Sequence, residues 1–297
     1  MDEKSTHEGE RIAKVLSRHG IASRRGAEQM ILDGEISVNG QVIHSPALNV
    51  SENDRILVRG IPLPQRDETR LWLYHKPAGL VTSAADEKGR ETIFDRLPPD
   101  LPRLMPIGRL DLNSEGLLLL TNDGEIKRRL ELPATGWLRR YRVRVHGRPD
   151  EPLLDRLRAG ITIDAESFQP MQVAFDRQQG ANAWLTVGLR EGRNREVRRA
   201  MEAIGLRVSR LIRISYGPFQ LGKLETGAVS EVPRQILHDQ LGLPSPAAPN
   251  DAADPSKRLQ KPGKPATPGT RRPATEGAPK PPRRRRPERT GKPDNRL

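Results

Sequence analysis

The chain has 297 residues, 51 of them Lys or Arg and 38 Asp or Glu, giving a net charge of +13. It has no cysteine, which excludes disulfides, thiolate nucleophiles and cysteine-based zinc or iron–sulfur sites; the six histidines are scattered and none pairs at ligand spacing. The longest aliphatic stretch, residues 117–120, falls far short of the ~18 residues of a membrane span, and the start Met1-Asp2-Glu3-Lys4-Ser5 is unlike a secretory signal. A cytoplasmic protein with a polyanionic partner is the expectation.

Residues 10–19 place Ile12, Val15 and Leu16 at helical spacing, with Gly20 as a stop. Ser23 suits the cap of a second helix carrying Ala27, Met30 and Ile31, which Gly34 ends. Ile36-Ser37-Val38 and Gln41-Val42-Ile43 flank Asn39-Gly40, a type I′ hairpin pair, and Ile56-Leu57-Val58 adds a strand. Two helices and a small sheet make a module spanning 9–60. Arg24 and Arg25 open its second helix beside outward-pointing backbone N–H groups, a place for phosphate. Taken alone, Lys14, Arg18, Arg24 and Arg25 are equally a solvated face.

A polar, proline-marked connector follows at 61–69. From 70 to 243 the patterns mix. Residues 71–74, 117–121, 141–145 and 183–189 read as strands, with Tyr141, Val143 and Val145 alternating with Arg142 and Arg144. Val197, Ala200, Met201 and Ile204 mark a helix that Gly205 closes. Without regular long helices between the strands, the fold class is α+β with a mixed, largely antiparallel sheet.

Within that region, MPIGRLDLNSEGLLLLTNDG (105–124) brings Gly108, Arg109 and Asp111 to the lip of a buried strand, where a carboxylate is held by rigid neighbours. An ordinary loop aspartate gives the same pattern. Asp123 reads as a turn residue only. EGRNREVRR (191–199) opens a helix with an inward apolar stripe, leaving Arg193, Arg195, Arg198 and Arg199 to meet a buried carboxylate, phosphates or solvent. Residues 246–297 hold 14 basic and 5 acidic residues and 12 of the 27 prolines, with no aromatic residue. Such a tail cannot offset its ordering entropy and is expected to be disordered.

The stretch RIAKVLSRHGIASRRGAEQMILDGEISVNGQVI resembles the S4 RNA-binding domain throughout, including its S-R-R helix start and V-N-G turn. From about 70 to 225 the chain resembles the bacterial pseudouridine synthases that modify ribosomal RNA. The family's order is kept in HKPAGLVTS (75–83), PIGRLD (106–111), SEGLLLLTNDG (114–124) and EGRNREVRR (191–199). A leading S4 domain and a basic C-terminal extension place the likeness nearest the large-subunit branch.

The resemblance implies that Asp111 is the nucleophile, that Tyr141 packs against the target base, and that Arg198 pairs with Asp111. It further implies RNA contacts from Lys14, Arg18, Arg24, Arg25, Arg109, Arg193 and Arg195. Many relatives carry glutamine where this chain has Glu196, a carboxylate placed to compete for Arg198. The reaction breaks the N1–C1′ bond, turns the uracil and rejoins it through C5, with no metal or organic cofactor. The expected partner is ribosomal RNA, 23S favoured over 16S or another RNA such as tRNA, bound by a monomer. A non-enzymatic S4-type assembly factor is the rival from another class.

Overall fold

The computed structural model describes residues 9–242; the tail expected to be disordered, 246–297, lies outside the described residues. The first module runs β1 (Glu10–Arg11), α1 (Ile12–Arg18), α2 (Arg24–Leu32), β2 (Ile36–Val38), β3 (Gln41–Val42), β4 (Asn49–Val50), β5 (Ile56–Val58) and β6 (Ile61–Pro62). Ser23 caps α2, its Oγ accepting from the Gly26 N–H at 3.0 Å. Asn39 and Gly40 have φ of 52° and 85° and turn β2 back into β3. Ile12, Leu16, Ile31 and Ile36 are fully buried in the module's core, and each contributes about 1.5–3 kcal/mol.

Two features depart from the sequence reading. Residues 10–11 are extended and pair antiparallel with β4, so the first helix starts at Ile12. The connector begins later than expected, because Ile61–Pro62 is a strand paired with β5. Its turn is Arg59-Gly60, with φ of 51° and 79°, the same positive-φ backbone from a pair that the Asn-Gly rule does not mark.

The second region contains β7 (Leu71–Lys76), β8 (Met105–Ile107), β9 (Glu115–Thr121), α3 (Gly124–Glu131), β10 (Arg139–His146), α4 (Glu151–Arg158), β11 (Ile161–Ile163) and β12 (Glu166–Phe168). It continues through β13 (Gln172–Gln179), β14 (Asn182–Leu189), α5 (Glu196–Ala203), β15 (Arg207–Tyr216), β16 (Phe219–Gln220), β17 (Val229–Glu231) and α6 (Arg234–Leu241). One nine-stranded sheet runs β13-β14-β10-β15-β9-β7-β17, with β16 on β15 and β8 on β9. It is antiparallel throughout except where β15 meets β9, so the expected α+β class with a largely antiparallel sheet holds.

That parallel junction consists of Ile212 opposite Glu115 and Arg213 opposite Gly116. Gly116 has φ of 102°, and a Cβ there would lie 2.3 Å from the Arg213 carbonyl oxygen, so only glycine lets the two halves of the sheet close. Both faces of β9 are covered. Leu117 and Leu119 pack with Ile126 and Leu130 of α3 and with Leu237 and Leu241 of α6. Leu118 and Leu120 pack with Trp72, Tyr74 and Leu110 on the other face. A strand buried on both sides reads as an unbroken apolar run, which is why four leucines stand in a row.

Asp123 does more than turn the chain. Its Oδ1 accepts from the Glu125 N–H at 2.7 Å, capping α3, and its Oδ2 accepts from Arg66 at 2.7 Å and from the Thr69 hydroxyl at 2.6 Å. The connector is thereby tied to the start of the helix that backs the candidate site. None of the described helices is long and apolar enough to cross a membrane.

Candidate active site

The loop between β8 and β9 is fixed by its backbone, and that places Asp111. The Gly108 N–H donates to the carboxylate of Glu131 on α3 at 2.7 Å. The Thr82 hydroxyl donates to the Leu110 carbonyl at 2.9 Å. Lys76, at the end of β7 and with no exposed surface, points its ammonium at the carbonyls of Pro77 (2.9 Å), Ser114 (3.0 Å), Asp111 (3.3 Å) and Leu112 (3.4 Å). Burial pulls the Lys76 pKa down to about 8, against the opposing pull of Asp111 and Glu115. A group held so tightly at its backbone leaves only its side chain to choose a direction.

That side chain, one-third exposed, lines a cavity of about 640 Å³ together with Arg109, Ser114, Tyr141, Arg195 and Arg213. Tyr141, on β10, is partly buried and packs against the two apolar clusters on either side of it. Arg213, on β15, is buried; its Nε donates to the Leu117 carbonyl at 2.7 Å and its guanidinium lies 5.2 Å from the Tyr216 ring centre. Its Nη2 and the buried Ser114 Oγ have no hydrogen-bond partner among the described residues. Carboxylate, aromatic ring and buried cation thus line one cavity.

The arginine-rich segment is mostly loop. Residues 191–195 precede α5, which begins at Glu196, and Arg195 takes a left-handed conformation with φ of 49°. The expected ion pair between Arg198 and Asp111 does not form. Arg198 instead donates to the Asn113 carbonyl at 2.9 Å, and Arg195 comes to 3.9 Å from the Asp111 carboxylate. Burial, and then the Arg195 charge, lower the Arg198 pKa, while Asp111 raises it.

Glu196 does not compete for Arg198. It accepts from the Arg193 N–H at 2.9 Å, closing the turn that opens α5, and its buried carboxyl lies beside that of Glu191. Burial, reinforced by nearby Glu191, pushes its pKa up to about 7. Arg193 and Arg199 are drawn to Glu166 at 2.7 and 2.6 Å, and both lie over the Phe168 ring. Arg109 is exposed at the cavity and has no ion pair among the described residues.

The basic residues of the first module sit apart from this cavity. Lys14 and Arg18 on α1 are each paired with Glu10 and with Glu125 of α3, the Glu125 contacts being 3.5 and 3.0 Å. Arg24 and Arg25 are exposed on the first turn of α2 with no ion pair among the described residues.

Sequence reasoning passed over Lys76 and Arg213. Each had a signal: Lys76 ends an apolar strand just before Pro77, and Arg213 takes an inward place in the Leu211, Arg213, Ser215 alternation of β15. No group of three or more His, Cys, Asp or Glu able to hold a metal occurs among the described residues.

Residues 70–203 match the RNA pseudouridylate synthase family, and residues 10–56 match the S4 domain. An uncharacterized RNA pseudouridine synthase of Rickettsia felis is 46% identical over 228 residues, covering 77% of this chain and 99% of that protein. The ribosomal large subunit pseudouridine synthase B of Haemophilus influenzae is 40% identical over 248 residues, covering 80% of this chain and 70% of that protein. A crystal structure of a pseudouridylate synthase superposes with a TM-score of 0.55 at 25% identity, over 77% of this chain and 99% of that one.

Proposed function

The chain belongs to the RNA pseudouridylate synthase family and is an RNA pseudouridine synthase with an S4 domain in front, and on that premise we propose that it isomerises a uridine of large-subunit ribosomal RNA through Asp111. The observation that carries the role of Asp111 is the held backbone of its loop, Lys76 meeting the Asp111 carbonyl and Thr82 the neighbouring Leu110 carbonyl, with its carboxylate at the cavity that Tyr141 also lines. Large-subunit RNA is supported by the likeness to the Haemophilus enzyme.

In this reading the target uridine leaves its stack, at a cost of a few kcal/mol, and its base packs on Tyr141. Stacking of that kind returns about 1–3 kcal/mol. The Asp111 carboxylate acts at the ribose C1′, and the electrons of the N1–C1′ bond leave with the uracil. After the uracil turns, C5 bonds to C1′ as the carboxylate leaves it with the electrons of the C1′–O bond. C5 loses a proton and N1 gains one, so the reaction is an isomerisation without redox change. Every participant is a side chain or the RNA itself, and the enzyme acts where ribosomal RNA is made, in the cytoplasm.

Tritium release from C5-labelled transcripts tests the proposal, because bonding through C5 must expel that hydrogen. We expect release from 23S but not 16S RNA, lost in Asp111→Asn while RNA binding persists. Normal release by the Asn variant would remove Asp111 as nucleophile, and release from 16S alone would move the substrate to the small subunit.

A further inference from the structure

A second cavity, also about 640 Å³, opens between α1 and α2 of the S4 domain and α3 of the synthase domain. Both cavities are lined by Met105, Lys127 and Glu131, so the cleft continues from the site of Asp111. Six basic side chains line it against three acidic ones. The acids are already engaged: Glu125 with Lys14 and Arg18, Glu131 with Lys127, and Asp123 with Arg66.

Arg24, Arg103 and Arg128 are left without an ion pair among the described residues. Arg103 stands out among them. Its contact is the Ser17 hydroxyl at 3.4 Å, across the cleft on α1. Although the residue is exposed, its surroundings desolvate the guanidinium enough to lower its pKa from the ordinary arginine value. A cation that loses hydration without gaining a counter-charge is costly, and an anion in the cleft removes that cost.

Resting on the synthase reading above, we propose that this cleft binds the RNA backbone flanking the target nucleotide, with Arg103 holding a phosphodiester between the two domains. The nucleotide at Asp111 and the segment on the S4 helices are then parts of one strand that crosses Met105 and Lys127. Arg103 acts as a binding residue and takes no part in the chemistry. Its guanidinium offers a planar pair of donors, the geometry that phosphate oxygens accept.

The test uses the full chain and the same tritiated 23S and 16S transcripts, with KM and kcat from release and affinity from filter binding over a range of salt. Arg103→Ala is expected to raise KM roughly tenfold, the loss of one charge-assisted hydrogen bond, with kcat unchanged. The slope of log affinity against log salt should fall by about one. Arg103→Lys should keep that slope, and Arg24→Ala with Arg128→Ala, a change at two further cleft cations, should lower it by about two. Phosphate-ethylation interference on the wild type should mark phosphates beside the modified uridine, and those marks should vanish in Arg103→Ala. Unchanged KM and slope in both variants would overturn the cleft, as would a kcat loss at constant KM. Absence of release by the wild type, with RNA affinity still falling in Arg103→Ala, would leave the cleft standing and remove the reaction.

Discussion

Arg195, not Arg198, is the cation that reaches Asp111, its Nη1 lying 3.9 Å from the carboxylate oxygen. The two arginines act on the aspartate by different routes. Arg195 is more than half exposed, so its attraction is diluted by water. Arg198 grips the Asn113 carbonyl, two residues along the same loop.

The two substitutions should therefore separate. An exposed pair contributes about 0–1 kcal/mol, so Arg195→Ala should lower kcat by no more than about fivefold. Misplacing a reacting group by about 1 Å costs on the order of 10²-fold, so Arg198→Ala should approach that loss. Single-turnover rates on tritiated RNA measure both. A larger loss from Arg195→Ala would make direct charge pairing the main influence on Asp111.

Glu196 gives a prediction about pH. Its folded pKa of about 7 lies above the ordinary glutamate value of 4.5. Between those two values the folded chain holds more protons than the unfolded chain, so this group's contribution to stability falls as pH rises from 4.5 to 7. Glu196→Gln keeps the acceptor for the Arg193 N–H and removes the buried charge. Urea unfolding at pH 7.5 should show the variant more stable by roughly 1–2 kcal/mol, with the advantage gone at pH 4.5. An equal effect at both pH values would show that the carboxyl stays ionised.

How far the sequence carries can be judged from single residues. The S4 module was legible because its signals are local: the Ser23 cap and the Asn39-Gly40 turn both stand where they were expected. The strand holding Tyr141 was legible by alternation, whereas the place of Asp111 at the lip of four leucines equally fits an ordinary loop aspartate, and only the family resemblance singles it out. What was hidden depends on partners distant in the chain. Asp123 looked like a turn because Arg66 and Thr69, which it binds, come from the connector. The parallel contact of Gly116 with Arg213 joins positions 97 residues apart, and no periodicity in either strand announces it. Arg195 and Arg198 were separable only once the left-handed backbone at Arg195 had turned its side chain toward Asp111.

Lys76 supplies the last prediction. It is fully buried, and its ammonium meets the carbonyls of Asp111, Leu112 and Ser114. Two of these have other donors, since the Ser114 N–H bonds to Asp111 and the Gly79 N–H to Leu112. Lys76→Met fills the same space and removes a buried cation, but leaves the Ser114 carbonyl without the ammonium, a cost of about 1–3 kcal/mol. The gain from removing the charge offsets part of that, so the net loss of stability should stay below about 2 kcal/mol. The slack it leaves lies under Asp111, so kcat should fall roughly 10–100-fold with KM little changed. In the wild type the folded pKa of about 8 lies below the ordinary 10.5, so the unfolded chain binds more protons in that window and this group makes stability rise with pH. Unfolding measured from pH 7 to 10 should lose that component in the variant. A wild-type kcat in Lys76→Met would show that Ser114 and Gly79 hold the loop unaided.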